Sequence, residues 1–107
     1  MKLYRVISQA EKDDYEFTGQ LRTATNTLEA KQFFKTRKAV NEYLENAISQ
    51  DFQPVYVTLL IVDIEKSDFD TLQADEMALD GFLAVTVHEE HLNSLNSFIK
   101  FVTKEDI

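Results

Sequence analysis

The sequence of 107 residues contains no cysteine, so it can form neither a disulfide framework nor a thiolate metal site. It contains no tryptophan, two glycines (Gly19 and Gly81) and one proline (Pro54), which leaves Asn, Asp and Ser to make most turns. The longest apolar run, 55–62, is far shorter than the roughly 20 residues that span a bilayer. Charge appears too close to the amino terminus for a signal peptide. We therefore expect a soluble, cytoplasmic protein.

Basic residues are scarce in the second half of the chain. Residues 1–50 hold eight Lys/Arg and seven Asp/Glu, a net charge of +1, whereas residues 51–107 hold three and twelve, a net charge of −9. The acidic residues are concentrated in the segment 63–80 and in the pair Glu89–Glu90. A negative field repels phosphate backbones and anionic lipid and attracts basic protein surfaces. We expect no nucleic acid or membrane partner for this half, and a basic protein as its possible partner.

The length fits one domain over 1–107 with a single core, to which eight Phe and four Tyr contribute. Hydrophobic patterning predicts strands at 2–8, 55–64, 82–87 and 97–103, and short helices at 11–17 and 89–95. The order of elements predicts an α+β domain with a mixed or antiparallel sheet of four to six strands and two or three packed helices. The segment 20–28 is rich in Thr and Asn and is predicted to be an exposed loop.

The strongest helix signal follows Thr36, which has the side chain of a helix N-cap. Apolar residues recur there at helical spacing on one face, namely at Ala39, Val40, Tyr43, Leu44, Ala47 and Ile48. The run 55–64 is apolar on both alternating faces, which predicts a central strand covered on two sides. In the acidic connection 65–81, Ser67 and Asp70 fit a capping box and predict one helical turn.

A cluster of basic residues surrounds the predicted helix start at Thr36, comprising Lys31, Lys35, Arg37 and Lys38. Helix N-termini attract anions, so this cluster suits a phosphate-bearing ligand, although the same residues also keep a helix solvated. No glycine-rich phosphate loop and no G-x-S-x-G nucleophile motif occurs in the sequence.

Metal-binding patterns are incomplete. His88 and His91 stand three positions apart, whereas the zinc motif H-E-x-x-H requires four. Asp68 and Asp70 supply only the first two positions of a calcium loop, without its glycine. We expect no metal site.

Three segments resemble small ADP-ribosyltransferase-like proteins, a group that includes toxin-type domains and the tRNA 2′-phosphotransferases. The opening LYRVISQAE at 3–11, followed by TGQLR at 18–22, resembles their first strand and helix. The segment LEAKQFFKT at 28–36 is similar to their second motif, a strand running into a helix. DGFLAV at 80–85 with LNSLN at 92–96 is similar to their closing strand and turn.

The resemblance implies a split, strongly bent sheet that holds NAD in a cleft. Arg5 would contact the dinucleotide from the first strand. Either Thr36 or the pair Phe33 and Phe34 would lie in the second nucleotide-contacting motif, with Lys31 in support. The resemblance is compatible with an enzyme and with a member that binds the nucleotide without catalysis.

The catalytic glutamate of this family stabilises an oxocarbenium-like centre as nicotinamide leaves. Glu76, which precedes a predicted strand, and Glu89 and Glu90, which follow it, are the three candidates, and the sequence does not choose among them.

Other interpretations of the same residues stay open. Arg5 suits an ion pair with a carboxylate of the acidic half as well as it suits a ligand. The chain also fits a non-catalytic acidic module that presents the 63–80 surface to a basic partner. A homodimer through an exposed strand at 97–103 is a third hypothesis.

Overall fold

The structure is a computed structural model, and it describes residues 1–22, 30–51, 55–79 and 81–107. These ranges contain six strands, four α-helices and one 3-10 turn, at Glu89–His91. The strands are β1 (Lys2–Ser8), β2 (Lys31–Phe33), β3 (Tyr56–Asp63), β4 (Asp75–Leu79), β5 (Phe82–Val87) and β6 (Phe101–Asp106). The helices are α1 (Gln9–Thr18), α2 (Arg37–Ser49), α3 (Lys66–Thr71) and α4 (Leu92–Phe98). The predicted single α+β domain is confirmed, with more helices than expected.

The strands form two antiparallel sheets that meet at one point. One sheet has the order β1-β3-β6 and the other β2-β5-β4. Among the described residues a single bridge joins them, in which Tyr4 N donates to Phe34 O at 2.8 Å and Phe34 N donates to Tyr4 O at 2.7 Å. The six strands therefore follow the order β6-β3-β1-β2-β5-β4, split and bent at the contact between β1 and β2. This contact is called the seam below.

The core lies on both faces of the bent sheet. Strand β3 is central, and its consecutive residues 58–62 are buried, as the apolar run predicted. On one face, Leu59 and Ile61 pack with α2 through Val40 and Tyr43. On the other face, Leu60 and Val62 pack with residues of α3 and α4, and α1 lies against β1 and β3. Because helices cover both faces of the sheet, the side chains on both faces of β3 can be apolar.

Side-chain caps mark where the first two helices begin, and a glycine ends the first of them. Thr36 Oγ1 accepts from Ala39 N at 3.1 Å at the start of α2, as predicted. Ser8 Oγ accepts from Glu11 N at 3.3 Å at the start of α1. Gly19 ends α1 with φ of 72°, a left-handed conformation that glycine adopts without a Cβ clash.

Several local predictions are wrong. The helical turn predicted in the acidic connection is present as α3, but it begins after Glu65 with no side-chain cap, so Ser67 and Asp70 form no capping box there. The predicted strand 97–103 begins only at Phe101, because 92–98 continues as α4. The loop 20–28 was expected to be exposed, yet Leu21 is buried in the core, and 23–29 lies outside the described residues. Strand β4 was not predicted, since its alternating pattern is weak.

No helix within the described ranges has the length and apolar composition needed to cross a membrane.

Candidate functional site

Beside the seam, the ladder of backbone hydrogen bonds between β1 and β2 is interrupted. In an antiparallel pair, alternate residues direct their N–H and C=O groups toward the same neighbour. Tyr4 and Phe34 exchange bonds across the seam, so the next groups that face it are those of Val6 and Gln32. Because the Tyr4–Phe34 bridge is isolated, the strands diverge before this next pair can form. The divergence leaves polar backbone groups facing an opening.

Arg5 fills part of this opening with its guanidinium group. Its Nη1 donates to the Gln32 carbonyl oxygen at 3.0 Å, where a backbone amide would stand in a continuous sheet. Its Nε and Nη2 donate to the two carboxylate oxygens of Glu11, at 2.7 and 2.8 Å. Lys31 Nζ donates to Glu11 Oε1 at 3.3 Å. These three charged residues, Arg5, Glu11 and Lys31, form the seam cluster.

The seam cluster carries one surplus positive charge in a poorly solvated place. The side chains of Arg5, Glu11 and Lys31 are 16%, 18% and 7% exposed. Burial by itself raises the pKa of Glu11, but the hydrogen bonds and charges of Arg5 and Lys31 outweigh it, and the pKa falls below its ordinary value of 4.5. Glu11 is therefore ionised at neutral pH and balances only one of its two cations.

A hollow of about 180 Å³ opens at the seam with Arg5 among its lining residues, and we call it the seam hollow. Its walls are partly aromatic, and its lining residues are Arg5, Val6, Gln32, Phe34, Tyr43, Tyr56 and Leu79. The hydroxyl oxygens of Tyr43 and Tyr56 lie 2.8 Å apart, and the rings of Phe34 and Tyr43 lie 5.0 Å apart between centroids. The hollow thus joins an aromatic wall to a cationic edge.

Arg5 retains donors for a ligand. A guanidinium group has five N–H donors, of which three donate to partners among the residues that the structure describes. A planar group with free N–H donors binds carboxylate and phosphate oxygens well, especially where water is scarce. The arrangement can therefore bind a small anion or the anionic part of a larger ligand.

The structure brings two of the four predicted cofactor-binding residues together. Arg5 and Phe34 both line the seam hollow. Lys31 joins Arg5 only through the shared Glu11, on the α1 side of the sheet. Thr36 uses its hydroxyl oxygen to cap α2 and is not a lining residue of the hollow. The ion-pair alternative for Arg5 is also present, but with Glu11 of the first half and not with the acidic half.

None of the three candidate glutamates lines the seam hollow. Glu76 lies on β4, where Lys35 Nζ donates to its Oε1 at 2.8 Å and lowers the pKa of this exposed carboxyl. Glu89 and Glu90 lie in the 3-10 turn, and Glu90 Oε1 is 3.7 Å from His91 Nε2. The geometry therefore brings no candidate acid to the reacting position that the resemblance implies.

Four residues around the seam were missed by sequence reasoning, namely Glu11, Gln32, Tyr43 and Tyr56. Glu11 stands three residues after Ser8, the capping-box spacing at the start of α1, so a local signal existed but indicated only a helix end. Tyr43 lies on the apolar face of the predicted helix, where the sequence indicates only a core position. No sequence pattern relates Gln32 and Tyr56 to Arg5.

Most carboxylates of the acidic surface 63–80 have a cation of their own chain nearby. Asp63 is 3.6 Å from the terminal amine, Glu65 contacts Lys100, and Lys66 Nζ is 2.5 Å from an oxygen of Asp70. Two further pairs involve β4, with Nε2 of His88 2.6 Å from Oδ2 of Asp75, and Glu76 bound by Lys35. These pairs reduce the negative field that a basic partner would meet.

No group of three His, Asp or Glu side chains converges on a common point within the described part of the chain. His88 contacts Asp75, and His91 lies near Glu90, so the two histidines have separate partners.

Comparison with protein-family models, with curated proteins and with solved structures found no match to this chain.

Proposed function

We propose that this chain is an ADP-ribosyltransferase-like domain that binds NAD or a related phosphorylated nucleotide at the seam hollow. The observation that carries the proposal is the position of Arg5, which lines an open hollow and whose guanidinium group donates to the Gln32 carbonyl oxygen at the bend of a split sheet. A split, bent sheet with an arginine on its first strand is the arrangement that the sequence resemblance implies.

The charge of the seam cluster supports an anionic ligand. Two cations share one carboxylate there, and both are largely withdrawn from solvent. A ligand phosphate that reaches the N–H donors of Arg5 not used by Glu11 and Gln32 would balance the surplus charge. Because charge-assisted hydrogen bonds are stronger away from water, this contact favours a phosphate over a neutral group.

The size of the hollow limits how much of the ligand it holds. Pockets that enclose a whole drug-sized ligand measure roughly 300–1,000 Å³. The seam hollow of about 180 Å³ suits one phosphate or one ring, with the remainder of the nucleotide on the surface around it. Phe34, Tyr43 and Tyr56 supply the aromatic surface on which a ring can stack.

The proposal is for binding and not for turnover. Glycosidic cleavage of NAD in this family depends on a glutamate at the ribose, and Glu76, Glu89 and Glu90 are all absent from the lining of the hollow. Glu11 is engaged by Arg5 and Lys31. We therefore assign no residue of this chain to catalysis.

Thermal unfolding with ADP-ribose and with NAD tests the proposal. A ligand at one hundred times its dissociation constant stabilises the folded state by about 2.7 kcal/mol, which shifts the Tm of a domain of this size by roughly 10 °C. Arg5→Lys keeps the charge but not the planar donor set, so we expect a smaller ligand-induced shift relative to its own unliganded Tm.

Arg22→Lys is the matched control, because Arg22 also binds a carboxylate, that of Asp14, but is exposed and does not line the hollow. Its ligand-induced shift should equal that of the parent protein. Absence of any shift at millimolar ADP-ribose and NAD would contradict the proposal, as would equal shifts in the Arg5 and Arg22 variants.

A further inference from the structure

Strand β4 forms one free edge of the bent sheet. It pairs with β5 on one side, and within the described ranges no strand pairs with its other side. Residues 75–78 are all exposed, with Met77 38% exposed. Unpaired N–H and C=O groups on such an edge are a template for another strand.

The register of the hairpin identifies which groups are free. Only two residues separate Leu79 from Phe82 along the chain, and the two are paired, so they must exchange backbone hydrogen bonds with each other. By alternation, Met77 and Asp75 also direct their backbone groups toward β5. Glu76 and Ala78 therefore direct theirs outward, to the free edge.

The opposite edge of the sheet is better protected. Strand β6 ends in the consecutive charged residues Lys104, Glu105 and Asp106. Lys104 lies 3.6 Å from Glu16 of α1, and Arg37 of α2 donates to Glu105 at 2.8 and 2.9 Å. Charged side chains on an edge strand oppose pairing with another chain. Strand β4 instead ends in the apolar sequence Met77-Ala78-Leu79.

We propose that β4 pairs with β4 of a second copy of this chain, antiparallel and about a two-fold axis at Met77. In this register the outward groups of Glu76 bond to those of Ala78 in the second copy, and the reverse pair forms by symmetry. Met77 stands opposite Met77 at the axis. The two short sheets become one continuous sheet across the dimer.

The register is self-complementary in charge as well as in hydrogen bonding. Glu76 stands opposite Ala78 and Asp75 opposite Leu79, so no two carboxylates oppose each other directly. Glu76 also has a cation of its own chain, Lys35, and the Nε2 atom of His88 lies 2.6 Å from Oδ2 of Asp75. The Lys35–Glu76 pair reduces the repulsion expected between two chains of net charge −8.

The interface is small, so the dimer is expected to be weak. A strand of five residues spans about 17 Å, and stable interfaces bury about 800 Å² on each partner. Leu83 of β5, which is 64% exposed and pairs with Ala78, adds apolar surface beside the edge. We expect association to appear only at high protein concentration.

Sedimentation velocity from about 5 to about 500 µM protein tests the proposal, since weak interfaces dissociate in the lower part of this range. Two substitutions of the exposed Ala78 are expected to change the dissociation constant of the dimer in opposite directions. Ala78→Glu places a carboxylate directly opposite Glu76 of the second copy. The two-fold symmetry repeats this repulsion, so it acts twice in each dimer and should weaken association. Ala78→Lys opposes the same carboxylates and should strengthen it. Each change is expected to be roughly two- to thirty-fold in dissociation constant.

Ala10→Glu and Ala10→Lys are the matched controls, because Ala10 is exposed on α1 and the net charge changes equally. They should leave the dissociation constant close to that of the parent protein. A monomer at every concentration would overturn the proposal. So would a dimer on which both Ala78 substitutions act alike, or on which they act no more than the controls.

Discussion

The exchange Glu11→Gln tests whether the seam is held together by one carboxylate. In the parent protein, Glu11 binds Arg5 at 2.7 and 2.8 Å and Lys31 at 3.3 Å. Glutamine has nearly the same shape, but it carries no charge and places an NH₂ group where the carboxylate accepts hydrogen bonds. The variant therefore leaves two adjacent cations without a counter-charge.

The expected loss follows from how deeply these groups are buried. Removing one partner of a fully buried ion pair costs about 3–5 kcal/mol. Arg5 and Glu11 are 16% and 18% exposed, so some hydration remains and we expect a loss of about 2–4 kcal/mol. With an m-value near 1–2 kcal/mol/M, the urea midpoint should fall by roughly 1–4 M.

The dependence of the free energy of unfolding on pH is a second, independent test of the role of Glu11. The pKa of Glu11 is lower in the folded protein than its ordinary value of 4.5, so the unfolded chain binds this proton more readily. The stabilisation is therefore fully present above about pH 5 and is lost as pH falls through the lower, folded pKa. The difference between parent and variant in free energy of unfolding should be largest near neutral pH and should shrink in acid.

Asp14→Asn is the control, because Asp14 also binds an arginine, Arg22, but at the surface. We expect no measurable change in the urea midpoint from this substitution, since exposed ion pairs contribute little. If Glu11→Gln unfolded at the same urea concentration as the parent protein, or if its effect did not depend on pH, the reasoning about the seam cluster would be refuted.

Three further predictions concern the fold and the hollow. Thr36→Ala removes the cap of α2 and should lower the free energy of unfolding in urea by about 1 kcal/mol, whereas Ser67→Ala, which removes no cap, should not. Leu60→Ala in the fully buried part of β3 should cost about 2–5 kcal/mol, against little for the exposed Ile48→Ala. Tyr56→Phe removes a hydroxyl from the 2.8 Å pair in the hollow and should cost about 1 kcal/mol. These roles would be contradicted if the two variants of the first or second pair unfolded at the same urea concentration. An unchanged urea midpoint for Tyr56→Phe would likewise contradict its role in the hollow.

The predictable parts of the fold are those that local physics determines. The two-sided apolar run at 55–64 and the periodic face after Thr36 each specify burial directly, and both elements form where expected. Strand β4 was missed because an exposed edge strand has no buried face and therefore no alternating apolar pattern. The false capping box at Ser67 fits the motif, but the chain begins its helix at Lys66 without using it.

The candidate site was predicted only in part, for a similar reason. Arg5 could be singled out because a charge in an apolar strand needs a partner, but its partner Glu11 comes from the same half of the chain. The seam hollow depends on where β1 and β2 diverge, which is a matter of tertiary geometry. Tyr56 and Gln32 are distant in sequence and adjoin Arg5 only through that geometry.

Titration of ¹⁵N-labelled protein with ADP-ribose, followed by amide chemical shifts, tests the central claim most directly. The account predicts that the largest saturable changes fall at the seam, on the amides of Val6, Gln32 and Phe34. Changes confined to residues remote from the seam, or none at millimolar ADP-ribose, would contradict it.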